Sequence, residues 1–105
     1  MEDNKKEKCA LTRVIETEFD ILKRHVHVLK MLQKKPMCII KLAELTKYPQ
    51  HMVRYSLRIL EQDGVIEPSS KGAITTDEVP KTFKSLKNTL HDLSKTIDKI
   101  IKMLE

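Results

Sequence analysis

The sequence is poor in the residues that most enzyme and metal sites require. It contains no tryptophan, two glycines and two cysteines among its 105 residues. Two isolated glycines leave no glycine-rich loop that could hold a phosphate, and two cysteines are too few for a disulfide framework. The four histidines and two cysteines show neither CxxC nor HxxxH spacing, which a metal site would favour. We therefore expect no enzyme, no cofactor and no metal, in a reduced, cytoplasmic protein.

Long apolar runs are absent as well. No stretch approaches the roughly 20 apolar residues of a membrane span, and no apolar segment directly follows the charged start MEDNKKEK, as a signal peptide would require. The net charge of +5 and the pI near 9.3 favour an acidic partner such as nucleic acid, although many lysine-rich proteins are basic for solubility alone. A chain of this length is expected to form one domain with at most an appendage, and it shows no evident small-molecule site.

The first third of the chain has a helical pattern. We expect residues 1–7 to form a disordered charged tail, followed by a long helix from Lys8 to Gln33. Thr17 and Asp20 stand in capping-box style and leave open whether this helix restarts; we favour one helix. Residues 37–40 are expected to form a small strand. The apolar positions of the helix recur every three or four residues: Leu11, Val14, Ile15, Phe19, Leu22, Val26, Leu29 and Leu32.

The next segment predicts two helices separated by a tight turn. The first helix runs from Leu42 to about Lys47, and the Tyr48–Pro49 pair ends it because the residue before a proline avoids the α conformation. The second starts at Pro49, where the missing N–H is harmless, and runs to about residue 63. Gly64 is placed to end it in the left-handed conformation. Three residues at helical spacing form its apolar stripe: Val53, Leu57 and Leu60.

The opposite face of the second helix is basic and capable of hydrogen bonding. Arg54 and Arg58 lie four residues apart, where like charges slightly destabilise a helix unless an anion lies between them. Arginine can contact guanine in the major groove of DNA. The first residues of a helix that enters this groove reach the base edges. The alternative to DNA binding is that each of these side chains is simply solvated. Arg58 would then pair with Glu61 or Gln62. Met52 and Ile59 lie beside the stripe and complete either the core or a protein-binding surface.

A short β-hairpin follows, with residues 65–68 and 73–76 as strands around the turn Ser69–Gly72. Lys71 and its neighbouring serines would contact the DNA backbone or minor groove. The candidate DNA contacts of the whole chain are Lys41, Lys47, Gln50, His51, Arg54, Tyr55, Arg58, Ser69, Ser70 and Lys71.

The last segment, from Glu78 to Glu105, carries a heptad stripe and predicts a long helix capped by Asp77. Such a stripe left in water would be unusual for a monomer, so we expect it to pair with a second copy. The alternative is that the helix folds back on its own domain. The candidate dimer residues are Val79, Phe83, Leu86, Leu90, Leu93, Ile97, Ile100 and Leu104.

The helix pair also resembles a known family. The series Leu42, Ala43 and Glu44, then Val53, Leu57, Leu60, Gly64, Val65 and Ile66, is similar to the winged helix-turn-helix of transcriptional regulators, with the closest likeness to archaeal members that carry a C-terminal dimerisation helix. Two residues depart from the usual pattern. Lys47 stands where glycine is common, and Pro49 stands where a serine or threonine cap is common.

Together these patterns predict a mainly α fold with a small β-wing. A winged-helix DNA-binding domain would span residues 8–76 and a C-terminal coiled-coil helix residues 77–105. The resemblance implies a homodimeric, sequence-specific transcriptional regulator that binds double-stranded DNA. The alternative is a winged-helix adaptor that binds proteins only, since a fold does not fix a function. RNA binding is a third interpretation, disfavoured because Tyr55 is the one aromatic residue expected to be exposed for stacking.

Overall fold

A computed structural model describes residues 9–105, which fold into four α-helices and one antiparallel hairpin. The elements are α1 (Arg13–Lys34), α2 (Ile39–Thr46), α3 (Gln50–Gln62), β1 (Ile66–Ser69), β2 (Gly72–Thr75) and α4 (Val79–Met103). A 3-10 turn at Ala10–Thr12 precedes α1. This arrangement confirms the predicted mainly α winged helix-turn-helix. The predicted tail at residues 1–7 and the predicted first helical residue, Lys8, lie outside the described part.

Helix α1 is continuous, so the alternative of a restart at Thr17 is wrong. Its end follows the predicted physics, because Lys35 adopts an extended backbone directly before Pro36. The buried face, however, is rotated from the predicted one. Val28 is fully buried although it was not part of the predicted series, and Val26 is only half-buried.

The strand predicted for residues 37–40 is wrong except at its first residue. Met37 forms an isolated β-bridge with Ala73, in which the Ala73 N–H donates to the Met37 carbonyl at 3.0 Å. Cys38 then takes the extended N-cap conformation of α2, and its carbonyl accepts the Leu42 N–H at 3.0 Å. Helix α2 therefore begins at Ile39, because helical hydrogen bonding to this cap overrides the β preference of two isoleucines.

The core lies where α1, α2, α3, the hairpin and the first residue of α4 meet. It is aliphatic, as expected from the shortage of aromatic residues. Its buried apolar members come from all of these elements: Val28, Leu29, Leu32, Met37, Leu42, Val53, Leu60, Val65, Ile66 and Val79.

The hairpin is tighter than predicted. Its strands pair from Ile66 with Thr75 to Ser69 with Gly72, so that two residues, not four, form the turn. Gly72 has a φ of 112°, and a Cβ atom there would lie 2.4 Å from the Met37 carbonyl carbon. Glycine is therefore required where the wing crosses the segment before α2.

Helix α4 confirms the predicted long helix and extends about 37 Å at 1.5 Å per residue. The predicted Asp77 cap is wrong. Glu78 occupies the N-cap position without a side-chain bond, and its N–H donates to the Thr76 hydroxyl at 3.3 Å. Val79 is 3% exposed within its own chain, and Phe83 packs against the same core. Only the stripe beyond these two residues is left open, which gives α4 a packed first turn and an exposed remainder.

Candidate nucleic-acid interface

The turn before α3 is built on an unusual lysine. Lys47 ends α2 in the left-handed conformation with a φ of 70°, and its N–H donates to the Ala43 carbonyl at 2.9 Å. Pro49 is the N-cap of α3, so the helix begins at Gln50, one residue later than predicted. The Pro49 carbonyl accepts the N–H groups of Met52 and Val53, both at 3.1 Å. The chain thus keeps the helix-turn-helix geometry without the glycine that most easily adopts such a φ.

Helix α3 is fixed by its buried face. Val53 and Ser56 are 0% exposed and Leu60 is 6% exposed. The helix ends where predicted, since Asp63 is the C-cap and Gly64 has a φ of 78°. At 3.6 residues per turn, the opposite face then points to solvent. That face presents the exposed residues His51, Arg54, Tyr55, Arg58 and Gln62, with the exposed Gln50 at the helix start.

The two arginines of this face are not neutralised by any residue that the structure describes. Neither Arg54 nor Arg58 forms an ion pair with any residue between 9 and 105, so the alternative pairing of Arg58 with Glu61 is wrong. Their guanidinium groups remain available to an anion. Lys41 differs, because its ammonium lies 3.7 Å from the Glu44 carboxylate. Both side chains are at least half exposed, and such a pair contributes little.

The three candidate residues at the tip of the wing have two different roles. Ser70 and Lys71 form the exposed turn. The Ser69 hydroxyl donates to the Gly72 carbonyl at 2.6 Å and accepts the Lys71 N–H at 3.1 Å. A phosphate oxygen needs a donor, and Ser69 has no second proton to give while the turn is intact. Ser69 therefore stabilises the turn of the wing, whereas Ser70 and Lys71 remain exposed at its tip.

Behind α3 lies a polar junction that the sequence did not predict. Ser56 of α3 accepts a hydrogen bond from Nε of Arg24 at 2.9 Å, and its Oγ lies 2.8 Å from Nδ1 of His25. The Tyr55 ring lies against both α1 residues, with its centre 5.9 Å from the Arg24 guanidinium carbon and 5.9 Å from the His25 ring centre. Tyr55 thus belongs to the α1–α3 contact as well as to the exposed face.

His25 is held toward its neutral form in this junction. Burial lowers the pKa of His25 first, the nearby positive charge of Arg24 lowers it further, and Asp63 opposes both by raising it. With Arg24 already donating to Ser56, the neutral imidazole can accept the Ser56 hydroxyl proton. A sequence pattern could have found Arg24, because it stands four residues before Val28 and eight before Leu32 on the buried face of α1.

Residues 23–67 match the bacterial regulatory protein, arsR family. Over these residues, which are less than half of the chain, the sequence is similar to an arsR-type helix-turn-helix domain. The match begins within α1, includes α2 and α3, and ends in β1. The family is one of DNA-binding transcription regulators, and it does not favour the adaptor interpretation. The chain matches no curated protein.

None of the helices between residues 9 and 105 combines the length and apolarity needed to cross a bilayer. Over that range, no three His, Cys, Asp or Glu side chains gather as a metal site would require.

Proposed function

We propose that the protein is a homodimeric, sequence-specific transcriptional regulator whose helix α3 enters the major groove of DNA. The observation that carries this proposal is the contrast between the two faces of α3. One face is sealed in the core, and the other exposes Arg54 and Arg58 without a counter-charge from the described chain. A major groove about 12 Å wide admits a helix of about 10–12 Å diameter and supplies that charge.

The position of each side chain suggests its contact. Gln50 and His51 lie at the start of α3, which approaches the base edges most closely in helix-turn-helix complexes. Arg54 and Arg58 are suited to guanine, whose two acceptors match a guanidinium. The remaining contacts would bind phosphates and fix the register of the protein on the duplex: Lys41, Lys47, Tyr55, Ser70 and Lys71.

The dimer proposal rests on apolar surface that the protomer leaves open. Beyond Phe83, the stripe of α4 is half-buried at Leu86 and then exposed, with Leu93 at 39% and Ile97 at 45%. Between α1 and α4 lies an open groove of about 290 Å³, lined by Val26, Lys30, Phe83, Leu86, Lys87 and Leu90. The 3-10 turn and the first half of α1 add four exposed apolar residues: Leu11, Val14, Ile15 and Phe19.

A second copy is the partner that buries all of this surface at once. Monomers rarely expose apolar patches beyond a few hundred Å². If two chains paired through their α4 stripes, with the α1 helices alongside, the open apolar surface of both protomers would be buried. Two α3 helices would then enter successive major grooves about 34 Å apart on a pseudo-palindromic site. Val79 takes no part, because it is already buried in its own protomer.

The proposal is tested by fluorescence anisotropy on duplex DNA across a salt series. A dimer that neutralises about 6–10 phosphates should give a log–log slope of roughly −5 to −9. The double variant Arg54→Ala/Arg58→Ala should bind about 100-fold more weakly or worse, because each guanine contact that it removes is worth about 1–3 kcal/mol in each protomer.

The matched control is Lys95→Ala/Lys99→Ala, which removes the same charge from two exposed lysines of α4, four residues apart and outside the stripe. It should bind almost as well as the wild type. Weak binding that is equal in all three proteins would overturn DNA reading by α3. That result would instead direct the search to a protein partner of the exposed face.

A further inference from the structure

Arg24 is a buried cation that no carboxylate among the described residues neutralises. It is 8% exposed, and no carboxylate among residues 9–105 forms an ion pair with it. Removing a guanidinium from water is unfavourable unless an opposite charge or hydrogen bonds compensate it. In the described structure, one hydrogen bond, from Nε to the Ser56 hydroxyl at 2.9 Å, and the Tyr55 ring provide that compensation.

The terminal nitrogens of Arg24 reach the surface. Nε is its one nitrogen with a hydrogen bond to a described residue. Yet no buried side-chain nitrogen or oxygen in that part of the chain lacks a partner. The two Nη groups therefore retain access to water, and they do so beside Tyr55, which is itself exposed on α3.

The solvent-accessible Nη groups of Arg24 lie on the flank of α3. Ser56 points from α3 into the core, and Tyr55, one residue earlier, lies about 100° around the helix toward the exposed face. The Arg24 guanidinium bridges these two positions from α1. A helix seated in the major groove fills most of its width, so groups along its flank meet the sugar–phosphate backbone and not the base edges.

We propose that Arg24, presented by α1 against Tyr55 and Ser56, is a phosphate-binding residue of the DNA interface. This inference rests on the proposed function and extends it to a helix outside the turn and wing. A guanidinium offers paired donors that match phosphate oxygens, and it stacks on aromatic rings. The Ser56 bond and the Tyr55 ring hold the group in place before DNA arrives, which reduces the entropy lost on binding. Phosphate then supplies the missing negative charge.

The salt dependence of DNA binding separates this role from a purely structural one. Removal of one phosphate-binding cation reduces the magnitude of the log–log slope by about 0.9, hence by about 1.8 for a dimer. Arg24→Gln should show this reduction, and Arg24→Lys should keep the wild-type slope because it keeps the charge. Lys23→Gln is the matched control, since it removes an exposed cation from the neighbouring position of α1. Its slope should equal that of the wild type.

A structural role would give a different result. If Arg24 only positions α3, Arg24→Gln weakens binding by the same factor at every salt concentration, and its unchanged slope overturns the inference. Should Arg24→Gln fail to fold, Arg24→Met serves in its place, because a well-packed apolar side chain often tolerates a buried ionic position. A steep wild-type slope that depends on Arg54 and Arg58 but not on Arg24 would refute this inference alone. A flat wild-type slope would refute the DNA-binding proposal as well.

Discussion

Helices α3 and α4 carry equally regular apolar stripes, yet the described residues cover one and leave most of the other open. In α3 the stripe residue Val53 is fully buried, because α1 and α2 pack over it. In α4, Ile97 is 45% exposed and nothing in the described chain covers it. Periodicity therefore determines which residues share a face, whereas the topology determines what packs against that face.

Helix α1 shows the same contrast within a single element. Its second half supplies Val28, Leu29 and Leu32 to the core, whereas Leu11, which leads into its first half, is 87% exposed. The open surfaces of α1 and α4 are both apolar and both project from one small core. In the proposed dimer, a second copy would bury them together.

The largest expected effect comes from truncating one leucine on each stripe. Leu60→Ala should lower the free energy of unfolding by about 2–5 kcal/mol, because it leaves a cavity in the core. Leu93→Ala removes the same atoms from the open stripe. It should matter only through association, so its effect on the melting temperature should grow with protein concentration.

Thermal melts of both variants and of the wild type over a hundredfold range of concentration check this prediction. The expected difference between the two stripes would be contradicted if Leu93→Ala lost several kcal/mol of unfolding free energy, equally at every protein concentration. That result would mean that α4 folds back on its own domain.

A smaller effect, of opposite sign, is expected at the turn within the packed region. Lys47 holds a φ of 70°, which is unfavourable for an L-residue by about 1–2 kcal/mol. Lys47→Gly should therefore stabilise the protein by about 1 kcal/mol in denaturant titrations. If the ammonium contacts a phosphate, the same variant should reduce the magnitude of the salt slope by about 0.9 per protomer.

Lys47→Asn is the matched control, since asparagine tolerates this conformation better than most residues and also lacks the charge. It should weaken DNA binding as Lys47→Gly does, with less gain in stability. A less stable Lys47→Gly protein would contradict the proposed backbone strain.

The smallest effect concerns His25, where α1 and α3 join in the packed region. Its pKa in the folded protein lies below the ordinary value of about 6.5. The unfolded chain therefore binds the proton more readily, and stability rises with pH across this range. The contribution of neutral His25 is complete above about pH 6.5 and is lost as the pH falls through the lowered pKa.

Melting curves between pH 5 and 8 for the wild type and His25→Gln check this expectation. The loss of stability on acidification should be smaller in His25→Gln. His91→Gln, at an exposed position of α4, should behave like the wild type. Identical acid sensitivity of the wild type and His25→Gln would contradict it.

The sequence correctly predicted the elements that depend on residues close together in the chain. The α3 stripe, the left-handed Gly64 and the heptads of α4 each depend on residues within a turn or two of one another. The exposed basic face of α3 followed from the same periodicity. The individual DNA contacts, the dimer residues and the likeness to archaeal regulators stay predictions.

What the sequence did not reveal depends on contacts between distant segments. The Arg24–Ser56 hydrogen bond joins residues 32 apart in the chain, and no helical period relates them. Among the described residues Met37 pairs with Ala73 alone, so the expected strand shortens to one residue. The N-cap of α4 is Glu78 and not Asp77. The Glu78 N–H donates to the Thr76 hydroxyl, which is itself fixed by a bond to the Gly64 carbonyl at 2.6 Å. Each of these outcomes was decided by tertiary packing.

The most direct test of the account is sedimentation equilibrium of the protein with a labelled duplex, for the wild type and Leu93→Glu/Ile97→Glu. A dimer joined through α4 would give two wild-type chains per particle in solution and two on each duplex. The charged variant should remain a folded monomer and bind about 100-fold more weakly or worse, because joined sites reinforce each other by factors of about 10²–10⁴. A wild-type monomer that binds one per duplex, with the same affinity as the variant, would contradict the claim that the open stripe unites two DNA-reading helices.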